Sequence, residues 1–203
     1  MLHLENDPTR QPVTGLLLAA GGGARLGGRP KALLPYRGAP LVEHALSALW
    51  RGGCAQVCVV LGAAAATVCS RAHLGEAQVV ENPDWPLGMG GSLRTGLSAL
   101  RASSTEGALV CLVDQPRIGP EVISRVLGSF AGRTTLAAAT YAERRGHPVL
   151  FGAAHFAAVL DSAQGDRGAR DYLRQHEVTP IECGDLGDPA DIDTQDDLTL
   201  LDN

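Results

Sequence analysis

Val13-Thr14-Gly15-Leu16-Leu17-Leu18-Ala19-Ala20-Gly21-Gly22-Gly23-Ala24-Arg25-Leu26-Gly27 is the stretch on which the reading of this chain turns. Val13–Ala19 is a nearly continuous apolar run, the pattern of a strand buried on both faces. Three glycines follow almost at once. Without Cβ atoms their backbone can turn sharply and bring its N–H groups against phosphate oxygens. Arg25 and, further on, Lys31 add positive charge where a triphosphate would lie. An arginine can hold phosphate oxygens bidentately, while a lysine acts as a mobile point charge. The competing reading is a strand–turn–helix connection that happens to be rich in glycine, and glycines alone do not separate the two. Other glycine loops fail on the letters. A P-loop needs Gly-Lys-Ser/Thr, which is missing here. A dinucleotide fold wants an acid at the end of the second strand, where Leu61-Gly62 stands. A kinase loop lies in a hairpin, and no second strand faces this segment.

Outward from the loop, strand-like and helical patterns alternate. Pro40 precedes a helix whose Leu41, Val42, Ala45, Leu46 and Leu49 share one face, and Gly52-Gly53 ends it. Gln56–Leu61 reads as the second strand, Ala63–Ala72 as an alanine-rich helix and Gln78–Val80 as a short third strand. Leu93, Leu97 and Leu100 mark a helix starting near Ser92, a candidate N-cap. Ala108–Val113 is a fourth buried strand, and Val122, Ile123, Val126, Leu127 and Phe130 give the next helical stripe. Leu136–Tyr141 and Pro148–Phe151 read as later strands. A helix near Gly168–His176, a strand at Val178–Cys183 and a helix from Thr194 complete the chain. The rhythm predicts an α/β fold, a three-layer α/β/α sandwich around a mostly parallel, Rossmann-like sheet. Ligands of such folds bind beyond the carboxyl ends of the strands. Residues 1–12 read as a disordered lead, and 13–203 as one domain.

The bulk numbers agree. The chain has 203 residues, 45% hydrophobic and 19% charged, enough for a buried core and unlike a disordered segment. Its net charge of -5, with no Lys/Arg stripe, gives no reason to expect a nucleic-acid partner. No apolar stretch approaches a membrane span, and Met1–Pro8 lacks the features of a signal peptide, so a cytoplasmic protein is expected. Five cysteines, an odd number without a C-x-x-C pair, read as small buried hydrophobes in a reducing cytosol; a zinc site is the second choice.

Several blocks, in order, resemble one family. Leu18-Ala19-Ala20-Gly21-x-Gly23-x-Arg25-Leu26-Gly27, Pro30-Lys31-x-Leu33-Leu34-Pro35 and Gly38-x-Pro40-Leu41 are similar to the signature of the MobA-like nucleotidyltransferases. Asn82-Pro83-x-Trp85-x-x-Gly88-Met89-x-x-Ser92-Leu93 looks like the second block and Leu112-x-Asp114-Gln115-Pro116 like the third. Gly146–Phe151, Gly165–Arg170 and Asp191-Ile192-Asp193-Thr194 look like the rest. The closest branch is the molybdenum cofactor (molybdopterin) cytidylyltransferases. Gly27-Gly28-Arg29-Pro30-Lys31 is one residue longer than that branch's commonest spacing and occurs in the guanylyltransferase branch. The resemblance thus implies CMP transfer as favoured and GMP transfer as the alternative.

Asp114 follows the run Ala108–Val113 and so sits at a strand's carboxyl end, on the sheet edge that holds the glycine loop. Alone it could be a turn residue. Asp191 and Asp193, two apart in an extended segment, could face one site; Asp193 could instead N-cap a helix from Thr194. The resemblance implies that Asp114 and Asp193 hold Mg2+, which takes a few carboxylate oxygens plus phosphate oxygens and water. It implies that Ala19, Ala20, Gly21, Gly22, Gly23, Arg25, Lys31, Asn82, Gly88 and Ser92 bind the nucleotide. Asn82 could equally make an Asx-turn with Pro83, and Gly88–Ser92 could be a capped turn. The acceptor half would use His147, Arg167 and Arg170, or these arginines could pair with Asp166 and Asp171 on the surface. Catalysis would rest on Arg25, Lys31 and Asp114. The expected partners are a nucleoside triphosphate, a phosphorylated acceptor of molybdopterin type and a molybdoenzyme receiving the product. Two alternatives remain: the same scaffold acting on a sugar phosphate or other phospho-acceptor, and a non-catalytic nucleotide-binding accessory protein for molybdoenzymes.

Overall fold

The computed structural model describes residues 12–201; the disordered lead expected at 1–12 lies, but for Pro12, outside the described residues. The quoted apolar run is β1, Val13–Ala19, buried along its whole length. After the glycine loop come two short strands, β2 (Pro35–Tyr36) and β3 (Ala39–Pro40), which pair antiparallel. Then follow α1 (Leu41–Arg51), β4 (Gln56–Leu61), α2 (Ala65–Arg71), β5 (Gln78–Glu81), α3 (Met89–Arg101) and β6 (Gly107–Leu112). The second half holds α4 (Pro120–Leu127), β7 (Leu136–Tyr141), β8 (Arg144–Gly152), α5 (Phe156–Ser162), α6 (Arg170–Gln175) and β9 (Thr179–Glu182). A 3-10 turn, Asp196–Leu201, ends the described chain.

One seven-stranded sheet runs in the order β5-β4-β1-β6-β8-β7-β9. Its pairs are parallel except where β8 meets β6 and β7. β1 lies between β4 and β6, so the glycine loop and Asp114 leave the same edge of the sheet on neighbouring strands. Alternate residues of β1 supply the two cores. Val13, Leu17 and Ala19 pack with Leu46 and Leu49 of α1, Val68 of α2 and Ile123 of α4. Leu16 and Leu18 pack with Leu93 and Leu97 of α3, Phe156 of α5 and Leu173 of α6. The three-layer sandwich is therefore as the periodicity predicts. None of the helices among the described residues is long and apolar enough to cross a membrane.

Four local expectations need correction. α3 begins at Met89, so Ser92 is not its N-cap; it is buried inside the first turn, where its hydroxyl accepts a hydrogen bond from Asn82 Nδ2 at 3.1 Å. The strand expected at Pro148–Phe151 starts at Arg144, because it forms a hairpin with β7 through a turn at Ala142 and Glu143, both at positive φ. The expected helix from Thr194 is a 3-10 turn that starts at Asp196. Asp193 does not cap it; instead Asp197 Oδ2 accepts from the backbone N–H groups of Asp193 (3.0 Å) and Thr194 (2.7 Å) and fixes the segment. Of the five free cysteines, Cys54, Cys58, Cys111 and Cys183 are buried as expected, but Cys69 on α2 is exposed.

Candidate active site

The glycine loop is shaped by its own backbone. Gly23 sits at φ 60, and a Cβ there would stand 2.1 Å from the carbonyl oxygen of Arg29. Only glycine fits both conditions. Its carbonyl accepts from Leu26 N at 2.8 Å and Gly28 N at 3.0 Å, closing the turn. The N–H groups of Gly21, Gly22 and Gly23 donate to no backbone carbonyl among the described residues. They form an open row of donors, the geometry of an anion nest. Ala20, Gly21, Gly22 and Arg25 line the cleft over the sheet's carboxyl edge; Ala19 is buried in β1, and neither it nor Gly23 lines the cleft.

Lys31 is carried back over the loop by a 3-10 turn, Lys31–Leu33. Its ammonium lies between two carboxylates. It donates to Asp114 Oδ2 at 2.6 Å and to Asp193 Oδ1. Burial pulls the lysine pKa down, but the two carboxylates outweigh it and the net shift is upward. Lys31 is therefore charged at neutral pH. Asp193 reaches this point because Ile192 N donates to Asp114 O at 2.9 Å, which ties the late segment to the end of β6. Asp191 turns elsewhere. It accepts from Gln115 Nε2 at 2.7 Å, and the same nitrogen reaches Pro189 O at 3.1 Å. Burial, with the charges of Asp114 and Asp193, raises the Asp191 pKa. The sequence alone did not choose between Asp191 and Asp193 as partner of Asp114; the structure pairs Asp193 with it.

Two carboxylates that already converge on one cation make a fitting donor set for a hard divalent ion. Among the described residues no cluster of three or more His, Cys, Asp or Glu side chains could hold a metal by itself. Magnesium usually fills its remaining positions with water and substrate phosphate, so the pair suffices when nucleotide is present.

Asn82 and Ser92 are both buried and bond to each other; Asn82 Oδ1 also accepts from Asp84 N at 3.1 Å. The Asx-turn reading of Asn82 is correct, and of these two only Ser92 lines the cleft. Gly88, at φ 106, lines it as well and stands immediately before α3.

The far half of the cleft is basic. Arg144 and Arg145 of β8 join Arg167, Arg170 and Arg174 there. Arg167 pairs with Asp171 at 3.0 Å, as the surface alternative proposed, but the pair is exposed and worth little, so the guanidinium remains available. Arg145 donates to Leu173 O at 2.9 Å, tying the hairpin to α6. His147 also lines the cleft. Burial pushes its imidazole down to about 4, so it is neutral at pH 7 and offers no charge to a phosphate. Arg144 and Arg145 went unread in the sequence because nothing in Ala142-Glu143 marks a tight turn. The cleft measures about 1360 Å³, above the roughly 300–1,000 Å³ of a site for one drug-sized ligand. It has room for a nucleotide and a second substrate together.

An open loop of backbone donors, facing a lysine held by two acids at the carboxyl edge of a parallel sheet, defines a nucleotide-handling α/β fold of the nucleotidyltransferase type. The chain belongs to the MobA-like NTP transferase domain family, which matches residues 15–179. It is 45% identical over 197 residues, 93% of this chain and 96% of the relative, to a nicotine blue oxidoreductase of Paenarthrobacter nicotinovorans. A molybdenum cofactor guanylyltransferase of Albidiferax ferrireducens is 28% identical over 59% of this chain and 54% of its own length. Among solved structures, a homologue of Mycobacterium tuberculosis Rv0371c from Mycobacterium sp. strain JC1 superposes with TM-score 0.83 at 33% identity, covering 95% of this chain and 96% of that one. Rv0371c of M. tuberculosis H37Rv, solved in complex with manganese, gives 0.76 at 28% identity, covering 93% and 97%.

Proposed function

We propose that the protein transfers a nucleoside monophosphate from a nucleoside triphosphate to a phosphorylated small molecule of molybdopterin type, with release of pyrophosphate. The observation that carries this reading is Lys31 held between Asp114 and Asp193 opposite the open N–H row of the glycine loop. The loop donors and Arg25 hold the β- and γ-phosphates. Lys31 neutralises charge at the α-phosphate. Asp114 and Asp193 would hold a divalent cation, magnesium by preference, in the place the Lys31 ammonium now takes, with Lys31 released toward the α-phosphate; the ion would add charge neutralisation on the phosphate oxygens. The guanylyltransferase relative and the manganese complex of Rv0371c both support this reading.

The acceptor lies in the arginine half. One of its phosphate oxygens attacks the α-phosphorus in line; the new P–O bond forms as the bond to pyrophosphate breaks. A phosphate monoester has its second pKa near ~6 and is mostly ionised at neutral pH, so no general base is needed. A neutral His147 is consistent with that. Catalysis then reduces to positioning and to charges aimed at the transition state. CTP is the first candidate on the resemblance to the cytidylyltransferase branch, and GTP is the alternative on the spacing before Lys31 and the named guanylyltransferase relative. The product would pass to a molybdoenzyme in the cytoplasm.

A second reading is favoured by one observation, the 45% identity to a nicotine blue oxidoreductase over nearly all of both chains. The fold would then hold a redox nucleotide where the triphosphate is placed above. One experiment separates the two. The four triphosphates are assayed with molybdopterin and magnesium for pyrophosphate release, beside an assay of nicotine blue reduction by NADH and NADPH. Pyrophosphate release with CTP or GTP supports transfer. Nicotinamide oxidation without pyrophosphate release supports the second reading.

A further inference from the structure

Trp85 belongs to neither the loop nor the carboxylates, yet it touches the loop. It opens a 3-10 turn, Trp85–Leu87, is half-buried and forms a wall of the cleft. The edge of its indole lies against Gly22, where a Cβ would stand 2.7 Å from Cη2 and 2.9 Å from Cζ3. The root of the side chain lies against Gly62 at the end of β4, where a Cβ would stand 2.6 Å from Trp85 Cβ and 2.7 Å from Cγ. Neither glycine has a positive φ. Both positions need glycine for space: the Trp85 side chain comes nearest at each, joined by Ala20 Cβ at Gly62 (2.8 Å) and by Ala63 Cβ at Gly22 (3.3 Å). Because its root is pinned at Gly62, the ring cannot swing aside cheaply if Gly22 gains a side chain. The backbone anchors Trp85 on its other side. Trp85 N donates to Asn82 O at 3.3 Å, and Gly88 N to Trp85 O at 3.2 Å. The indole thus joins the Asn82–Ser92 block to the glycine loop along the wall of the cleft.

We propose that Trp85 is the positioning residue of the glycine loop: its indole, wedged between Gly22 and Gly62, sets where the loop N–H row stands and so determines triphosphate affinity. This rests on the nucleotide-binding reading above.

The test is calorimetric binding of magnesium CTP and magnesium GTP to the full chain, with thermal unfolding of each variant as a control. Gly22→Ala forces the loop off the ring and weakens triphosphate binding by roughly tenfold or more, the scale of an overpacked contact. Phenylalanine lacks the outer atoms of the indole, so Gly22→Ala combined with Trp85→Phe recovers to within about threefold of Trp85→Phe alone, a strong non-additivity expected only of residues in contact. Should Gly22→Ala fail to fold, Trp85→Leu carries the test: it weakens triphosphate binding at least as much as Trp85→Phe, while both variants unfold within a few degrees of the wild type. Equal penalties for Gly22→Ala with and without Trp85→Phe would overturn the proposal, as would wild-type affinity in Trp85→Leu. A wild-type protein that binds none of the four triphosphates overturns the nucleotide reading itself; a wild type that binds while the rescue fails overturns only the role of Trp85.

Discussion

The two halves of the cleft are built on different principles. The half around Gly21, Gly22, Gly23, Lys31, Asp114 and Asp193 is set by backbone geometry and by ion pairs that are already closed. Gly23 can be nothing but glycine, and Lys31 is only 13% exposed between its acids. The half around Arg144, Arg145, Arg167, Arg170 and Arg174 is made of long side chains on a hairpin, a 3-10 turn (Gly165–Arg167) and a short helix, and its ion pairs are exposed. A transferase that keeps one reaction while varying its acceptor would be built this way. On the proposed function, the chemistry would use groups held by the backbone and by buried charge, and acceptor selection would use exposed side chains.

Substitutions can break or sharpen that contrast. The largest effect is expected on the closed side. Asp114→Ala should abolish divalent-dependent pyrophosphate release while the protein still unfolds cooperatively, since Lys31 keeps Asp193 as a partner; release at the wild-type rate would remove Asp114 from the metal role. Lys31→Ala should lower kcat by about 10²-fold or more, the scale of a lost preorganised charge. A change in KM alone would mean that Lys31 only binds substrate. On the open side the effect should be smaller and one-sided. The double variant Arg144→Ala/Arg145→Ala should raise the acceptor KM about tenfold, leave the triphosphate KM unchanged, and show a weaker dependence on salt than wild type. An equal rise in both KM values would erase the division between halves.

The smallest effect concerns His147 and stability. Its folded pKa, about 4, lies below its ordinary value of 6.5. The unfolded chain therefore binds the extra proton first as pH falls. The neutral, half-buried imidazole is tolerated without penalty above pH 6.5, and stability is lost progressively between pH 6.5 and 4. Urea unfolding of His147→Gln should show a flatter pH dependence in that window than wild type. An unchanged slope would show that the imidazole is not held neutral by burial.

The closed half was the more legible in the sequence, for physical reasons. β1 and β4 run where their apolar stretches end in glycine, and the loop, Lys31 and Asp114 are local features beside a strand end. The pairing of Asp193 rather than Asp191 with Asp114 was implied by the family resemblance but not by the spacing of the residues. It depends on a hydrogen bond from Ile192 to Asp114 O and on the Gln115 amide claiming Asp191, contacts between distant parts of the chain. Ser92 misled because serine before an apolar stripe is the usual sign of a helix start. Here the helix starts one turn earlier, at Met89, and the hydroxyl is used by Asn82. Arg144 and Arg145 escaped notice because their hairpin turns through Ala142 and Glu143, residues that seldom adopt a positive φ. α5 escaped because Phe156–Ser162 is only two turns long and has no capping residue before it.

The central claim is that the α-phosphoryl group moves to the acceptor while the two outer phosphates leave together. Labelled triphosphate tests it most directly. With molybdopterin and magnesium, label at the α-phosphorus of CTP or GTP should appear in the acceptor product, and label at the γ-phosphorus in pyrophosphate. Recovery of the γ label as orthophosphate, or of the α label only in unreacted nucleotide, would contradict the account.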